Sequence, residues 1–322
     1  MKTSKDTLIL LDEFAKDVSN GLEKKEKRLP SRYFYDEKGD QIFQQIMHMP
    51  EYYLTDCEYE IFSMQSAEII KAVNFKEEFD LIELGAGDGY KTKLFIKELL
   101  HSKVPFHYYP VDISENALRI IENNMLSSFP ELQIHPTQND YFDALSEINK
   151  LSHKPKLVLF LGSNIGNLTI DESHSFLSKL NSVLNKGDKL LIGIDLKKNP
   201  KTILDAYDDP HGITKSFNLN LLDRINQELG ANFNIPHFDH YPFYDPVSGT
   251  AKSFLVSLKN QEVFIEALDK SFHFDQYELV HTEISQKYSL DEIEALASAT
   301  GFRINKPFLD CKHYFVDSLF EV

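Results

Sequence analysis

Cysteine is confined to Cys57 and Cys311, basic residues are outnumbered, and long apolar runs are missing. The two cysteines stand 254 positions apart with neither a metal-type nor a redox spacing, so they are read as reduced thiols with structural duties. The longest apolar stretches, such as Leu157 to Gly162 and Leu190 to Ile194, fall far short of the ~20 residues a membrane helix needs. No bilayer span is expected. Met1-Lys2-Thr3-Ser4-Lys5-Asp6 leads into a pattern studded with Asp and Glu, unlike a secretory h-region or an acid-poor transit peptide, so a cytoplasmic protein is expected. Thirty-four Lys and Arg stand against 50 Asp and Glu, a net charge of −16 that repels a phosphate backbone. The basic run Lys24-Lys25-Glu26-Lys27-Arg28 is broken by its own glutamate and is read as a solvated helix end. No nucleic-acid partner is expected. A small molecule fits better, above all a zwitterion or a substrate used with a cationic cofactor.

What is present is the composition of an ordinary folded protein of one or two domains, 42% hydrophobic and 26% charged over 322 residues, without internal repeats. Leu8, Leu11, Ala15, Val18 and Leu22 recur at helical spacing, predicting a helix over about 6–25 before Leu29-Pro30. Ile42, Phe43 and Ile46 predict a short second helix ahead of Pro50, and Thr55 with Glu58 has the spacing of a capping box opening a third. From residue 79 the pattern changes. Apolar runs at 79–84, 106–111, 157–161 and 189–194 alternate with helical patterns at 90–100, 115–125 and 171–184. This cadence predicts a doubly wound parallel α/β sheet, which binds its ligand at the carboxyl ends of its strands. Residues 197–286 break it with a helix near 218–229, a Pro- and aromatic-rich turn at 237–246 and β-like runs at 253–258 and 263–268. Then 290–299 is helical, Gly301 is a C′ residue, and 302–308 with 313–320 form a closing antiparallel pair. The expected organisation is 1–56 as an N-terminal segment of a substrate lobe, 57–196 as the first part of the core, 197–286 as an inserted lobe and 287–322 as the last part of the core.

Glu83-Leu84-Gly85-Ala86-Gly87-Asp88-Gly89 follows the first core strand and precedes a helix, so its glycines let the backbone turn tightly and its N–H groups face a ligand. The second strand ends at Asp112, an acid suited to ribose hydroxyls. NAD and S-adenosylmethionine both fit these two features. The loop lacks the G-x-G-x-x-G spacing that seats a pyrophosphate, and its E-x-G-x-G form resembles motif I of class I S-adenosylmethionine methyltransferases. Asn139-Asp140-Tyr141 falls where that family reads adenine, although Asp140 alone also reads as a helix cap. Gly162-Ser163-Asn164-Ile165-Gly166-Asn167 stands at the end of the fourth strand, where such enzymes place the substrate, and its small polar residues alone would also serve as a turn.

Together with Leu29-Pro30 to Tyr35-Asp36, Pro50-Glu51-Tyr52-Tyr53, Ala206-Tyr207-Asp208-Asp209, Phe217-Asn218 and Thr282-Glu283-Ile284-Ser285, these residues resemble the histidine Nα-methyltransferase family of ergothioneine biosynthesis, from about residue 29 to the C-terminus. The resemblance implies a class I methyltransferase fold with an antiparallel C-terminal strand and a second lobe. It also implies S-adenosylmethionine as cofactor, no metal, and stepwise trimethylation of the L-histidine α-amino group to hercynine. Asn167 and Tyr207 would grip the carboxylate and amine, with Tyr35 beside them and Gly162 giving close backbone approach. Phe43 and Tyr52 would line the amine and ring, and Glu283 with Ser285 would bond the imidazole from one face of an extended segment. The expected cofactor contacts are Glu83, Gly85, Ala86, Gly87, Lys91, Asp112, Asp140 and Tyr141. Asn164 stands where the family pattern has threonine and Ser253 where it has methionine, departures that bear on which amino acid is accepted.

In-line methyl transfer is mostly a matter of register between donor and acceptor, so Tyr35 and Asn167 are the expected catalytic residues, Tyr35 as a route for the amine proton. The expected enzyme is a monomer. The competing readings are a methyltransferase of the same fold acting on another amino acid or small amine, and a non-catalytic adenosine-ligand sensor, which has no need of Tyr35, Asn167, Tyr207 and Glu283 together. A metal hydrolase built on His237-Phe238-Asp239-His240 is the weakest, since such a cluster in an aromatic turn is usually structural.

Overall fold

The computed structural model describes residues 4–322; Met1, Lys2 and Thr3 lie outside the described residues, as do the side chains before residue 11, Leu8 among them. The elements run α1 (Ser4–Leu22), α2 (Glu37–Met47), α3 (Tyr53–Val73), β1 (Phe79–Leu84), α4 (Thr92–His101), β2 (Phe106–Asp112), α5 (Glu115–Ser128), β3 (Thr137–Gln138), α6 (Tyr141–Leu151), β4 (Lys156–Phe160), α7 (Ile170–Val183) and β5 (Lys189–Asp195). They continue through α8 (Pro200–Asp205), α9 (Ile213–Leu229), β6 (Phe238–Asp245), β7 (Thr250–Ser257), β8 (Gln261–Ile265), β9 (Lys270–Phe274), β10 (Leu279–Gln286), α10 (Leu290–Ala299), β11 (Arg303–Leu309) and β12 (Phe315–Glu321).

The chain divides into a core unit, 54–197 with 286–322, and a lobe unit, 1–53 with 198–285. The core unit holds a seven-stranded sheet in the order β3-β2-β1-β4-β5-β12-β11. Its first five strands pair in parallel, and β12 runs antiparallel to both β5 and β11. This is the doubly wound α/β fold of class I methyltransferases. β1, β4 and β5 are buried at every residue, which is why they read as continuous apolar runs rather than as alternating ones. The strand order reverses between β1 and β4, so the loops at their carboxyl ends, 85–91 and 161–168, flank the switch point where such sheets bind ligands.

The lobe unit carries a three-stranded sheet, β10-β7-β6, and a separate β8-β9 hairpin. Its core gathers Phe14 and Val18 of α1, Phe34, and the α9 stripe Phe217, Leu221 and Ile225 against Leu255 and Val263. The three α9 residues are four apart, so all face one side.

Several expectations are corrected. Helix α3 begins at Tyr53, and Glu58 is buried instead of reaching back to Thr55. Within 237–246, Phe238–Asp245 form strand β6 rather than a turn, because Phe238 and Tyr244 are buried six residues apart while Pro242 sits on an edge strand, where its missing N–H is tolerated. The run at 263–268 is the end of β8 and a 3-10 turn, after which β9 returns antiparallel. The basic run at 24–28 is not a helix end: α1 stops at Leu22, Lys27 pairs with Glu278 at 2.5 Å, and Arg28 bridges to His281. Both Cys57, which is buried, and Cys311, whose thiol is 3.3 Å from Glu60, sit in the core unit. Among the described residues no helix is long and apolar enough to cross a membrane.

Candidate active site

In the core unit the loop after β1 is shaped by three left-handed glycines, Gly85 (φ 73°), Gly87 (φ 54°) and Gly89 (φ 70°). A Cβ on Gly89 would strike Ile121 and Met125 at 2.7 Å, and one on Gly85 would sit 2.9 Å from the Tyr141 hydroxyl and 3.3 Å from Asn164 Nδ2. Around Gly87 nothing lies within 4 Å of that position, so the loop leaves open space there. Asp112, half-buried at the end of β2, accepts from Ser114 N–H at 2.9 Å. Burial raises its pKa, against the N–H groups of Ser114, Gly87 and Ile113. Burial likewise pushes the Tyr141 hydroxyl to about 12, so it stays a neutral donor.

Two of the expected cofactor residues have other employment. The Glu83 carboxylate is turned into the fold, 4% exposed, and accepts from Thr92 Oγ1 and the Tyr108 hydroxyl. Burial lifts its pKa to about 7 despite those donors. Asp140 is exposed and caps α6, accepting from Phe142 N–H at 2.9 Å and Asp143 N–H at 3.1 Å. Lys91, preceding α4, forms an ion pair with Glu58. Burial opposes the Lys91 charge, but Glu58, then Asp317 and Glu83, outweigh it and raise the pKa. Ala86 is buried and contributes backbone.

The loop after β4 is held as firmly. Gly162 (φ 72°) and Ser163 (φ 56°) are both left-handed, a conformation that costs a serine energy, and the Ser163 hydroxyl is fixed by accepting from Asp195 N–H at 3.2 Å. A 3-10 turn over Asn164–Asn167 then presents Asn164 half-buried and Asn167 exposed. A Cβ on Gly166 would lie 2.9 Å from the Gln286 carbonyl, so that turn needs a glycine to pack.

The lobe unit assembles the aromatic residues. Tyr35 meets the edges of Phe43 (5.5 Å) and Phe217 (5.7 Å), and Phe43 reaches Tyr52 (6.4 Å). Asp36 anchors this group by capping α2 through Gly39 N–H at 2.6 Å and accepting from Asn220 Nδ2 at 2.8 Å. Tyr207 is buried beside Asp209, whose carboxylate takes N–H bonds from His211, Ile213 and Thr214 at 2.8 to 3.1 Å. Burial works against that carboxyl, yet these donors hold its pKa below the usual range. On the three-stranded sheet, Ser253 Oγ donates to Glu283 Oε2 at 3.4 Å, and the Thr282 hydroxyl lies 2.7 Å from Asn218 Oδ1. Glu283 and Ser285 both lie in extended β10, Glu283 half-buried and Ser285 6% exposed.

Within each unit, then, the expected residues cluster: Gly85, Tyr141, Asn164, Gly162 and Lys91 in one, Tyr35, Phe43 and Tyr52 in the other, with Ser253 beside Glu283. Sequence reasoning missed the hub role of Phe217 and gave Glu58 only the role of a cap. His237 Nε2 faces the Lys259 ammonium at 2.9 Å, and among the described residues His237, Asp239 and His240 form no group with metal-type spacing. Among the described residues the group with metal-type spacing is Glu60, Asp310 and Cys311, where Asp310 already accepts from the N–H groups of Lys312, Tyr314 and Phe315.

A family model described as histidine-specific methyltransferase, SAM-dependent, matches residues 14–322. The chain is 35% identical over 286 residues to histidine N-alpha-methyltransferase of Mycobacterium tuberculosis (strain CDC 1551 / Oshkosh), covering 89% of this chain and 88% of that protein. A histidine N-alpha-methyltransferase of Mycolicibacterium smegmatis is 34% identical, covering 89% and 88%. Ergothioneine biosynthesis protein 1 of Neurospora crassa is 30% identical over 85% of this chain and 31% of its own length.

Proposed function

The chain belongs to the family of histidine-specific, SAM-dependent methyltransferases, and from that premise we propose that it methylates the α-amino group of L-histidine three times, to hercynine. The observation that carries this is the span of the family match, residues 14–322, which takes in Tyr35, Asn167, Tyr207 and Glu283 as well as the glycine loop.

The core unit suits the cofactor on its own evidence. Open space at Gly87, a carboxylate at the end of β2 and a buried tyrosine hydroxyl at Gly85 form a donor and acceptor set fit for an adenosine with an amino-acid tail. When bound, S-adenosylmethionine supplies a methyl group carried on a sulfonium. Asp112 would accept the ribose hydroxyls, Lys91 would answer a carboxylate, and the loop with Asp140 and Tyr141 would border the base.

For the amino acid, Asn167 and Tyr207 bind the carboxylate and amine, and Glu283 with Ser285 accepts and steadies the imidazole. The ammonium has to lose a proton before it can act as a nucleophile, and Tyr35, which is exposed, passes that proton toward water. As methyl groups accumulate the amine becomes a fixed cation, which the rings of Tyr35, Phe43 and Tyr52 stabilise through their faces. Nothing in this scheme requires a second subunit, and we take the enzyme to act as a cytoplasmic monomer on a small molecule.

One observation favours a second reading, another amino acid as substrate. Ser253, whose hydroxyl lies 3.4 Å from Glu283, is small where the family pattern has methionine, so less side-chain bulk stands beside the carboxylate assigned to the ring. Competition between equimolar histidine and tryptophan, read by mass spectrometry for mono-, di- and trimethyl products, separates the two. Methylated histidine should predominate. Predominance of methylated tryptophan, or no methylated histidine, sinks the histidine assignment and leaves methyl transfer standing.

A further inference from the structure

Methyl transfer as described makes no use of one of the fully buried carboxylates in the core unit. Glu58, on α3, is 0% exposed, yet it accepts from two unlike groups. One is the Lys91 ammonium ahead of α4. The other is the Gly162 N–H after β4, 2.8 and 3.1 Å from its two oxygens. Desolvating a carboxylate costs several kcal/mol, and an apolar side chain would fill the same volume without that cost. The fold makes room for it all the same: a Cβ on Gly193 of β5 would collide with Glu58 Oε1 and stand 3.1 Å from Asp317 Oδ1. Asp317 sits opposite Gly193 in the sheet and is 0% exposed. Burial, and then the Glu58 charge, push the Asp317 carboxyl well above its usual range. Of these two carboxyl groups, Glu58 is the one that pairs with Lys91.

We infer that Glu58 is a positioning residue for cofactor binding: its one carboxylate fixes the Lys91 ammonium and the Gly162 backbone together, and so sets the loop after β1 against the loop after β4. The Lys91 side chain and the loop after β4 are neighbours, since a Cβ on Gly162 would stand at van der Waals distance, 3.6 Å, from Lys91 Nζ. The inference rests on the reading that the core unit binds S-adenosylmethionine.

Calorimetry with S-adenosylhomocysteine on the full chain tests it, using wild type, Glu58→Gln, Lys91→Met and the double variant. Glutamine keeps the shape and an acceptor for Gly162 while it removes the carboxylate that pairs with Lys91. Glu58→Gln should lose roughly tenfold in affinity, the size of one charge-assisted hydrogen bond. Because Glu58 acts through Lys91, the double variant should bind within about twofold of Lys91→Met alone, whereas residues acting independently show additive losses. Unchanged affinity in Glu58→Gln, or additive losses, overturns the inference. If Glu58→Gln does not fold but the charge-neutral double variant does, the carboxylate is needed for Lys91, as inferred. If neither folds, Glu58 serves stability alone and the inference fails. Wild type that binds no S-adenosylhomocysteine removes the cofactor reading and the inference with it.

Discussion

The core unit and the lobe unit solve the same problem, holding polar groups still, by different means. In the core unit the chain is fixed by left-handed backbone and by buried carboxylates paired with lysines: Gly85, Gly87, Gly162 and Ser163 shape the loops, while Glu58 pairs with Lys91 and Asp195 with Lys287. In the lobe unit the corresponding work falls to ring edges and to neutral or exposed polar groups, Tyr35 on Phe43 and Phe217, Ser253 on Glu283. A buried charge pair tolerates little displacement, because separating it leaves an ion unsolvated, whereas ring contacts and hydroxyl bonds yield gradually. The core unit should therefore fail sharply under substitution and the lobe unit by degrees.

The largest expected effect tests that contrast directly. Lys287 and Asp195 are both fully buried and 2.8 Å apart, so Lys287→Met strands a carboxylate in the core and should cost about 3–5 kcal/mol of unfolding free energy. Lys270→Ala in the lobe unit breaks a pair with Glu23 that is roughly half exposed, and it should leave the denaturation midpoint almost unchanged. Similar midpoints for the two variants in denaturant titrations would break the comparison.

A smaller effect sharpens it through pH. Burial, opposed by the Thr92 and Tyr108 donors, lifts Glu83 from 4.5 to about 7, so the folded state keeps a proton that the unfolded chain releases. Stability from this group is complete below the ordinary carboxylate pKa and is lost as pH rises to about 7. Glu83→Gln cannot ionise, so wild type should lose on the order of 2–3 kcal/mol relative to the variant between about pH 5 and about pH 8, measured by denaturant unfolding. Parallel stability curves for the two proteins would show that the Glu83 carboxylate is not confined as the structure has it.

The same contrast explains what was legible in the sequence. Core strands announce themselves because burial on both faces demands continuous apolar runs, and the glycine loop because its turns need glycine locally; both are properties of neighbours in the chain. The substrate residues of the lobe unit, from Tyr35 to Ser285, are scattered over 251 positions of sequence, and no local pattern links them, so only the family resemblance could gather them. Glu58 was misread for a related reason: a Thr and a Glu three apart look like a cap, and only the approach of Gly162 and Lys91 from distant segments gives that carboxylate its role. Strand β6 was missed because prolines and aromatics suggest a turn, while its pairing with β7, from Phe238 on Ser257 to Asp245 on Thr250, is a tertiary fact.

The finest test concerns Ser253, where the lobe unit should yield least. Its hydroxyl reaches Glu283 at 3.4 Å, long for an O–H to carboxylate bond, so it tunes the carboxylate's orientation and does not create the binding group. Ser253→Ala leaves Glu283 in place with one donor fewer, and a hydroxyl bond stretched to that length contributes only about 0.5–1 kcal/mol. The ratio of kcat/KM for histidine over phenylalanine should therefore fall by roughly threefold in this variant, while Glu283→Ala should abolish most of the preference. Affinity for S-adenosylhomocysteine should not change, because every residue expected to bind the cofactor lies in the core unit. If calorimetry instead shows Ser253→Ala weakening S-adenosylhomocysteine as much as it weakens histidine, then the division of labour between the units is wrong, and the gradual yielding ascribed to the lobe unit is wrong with it.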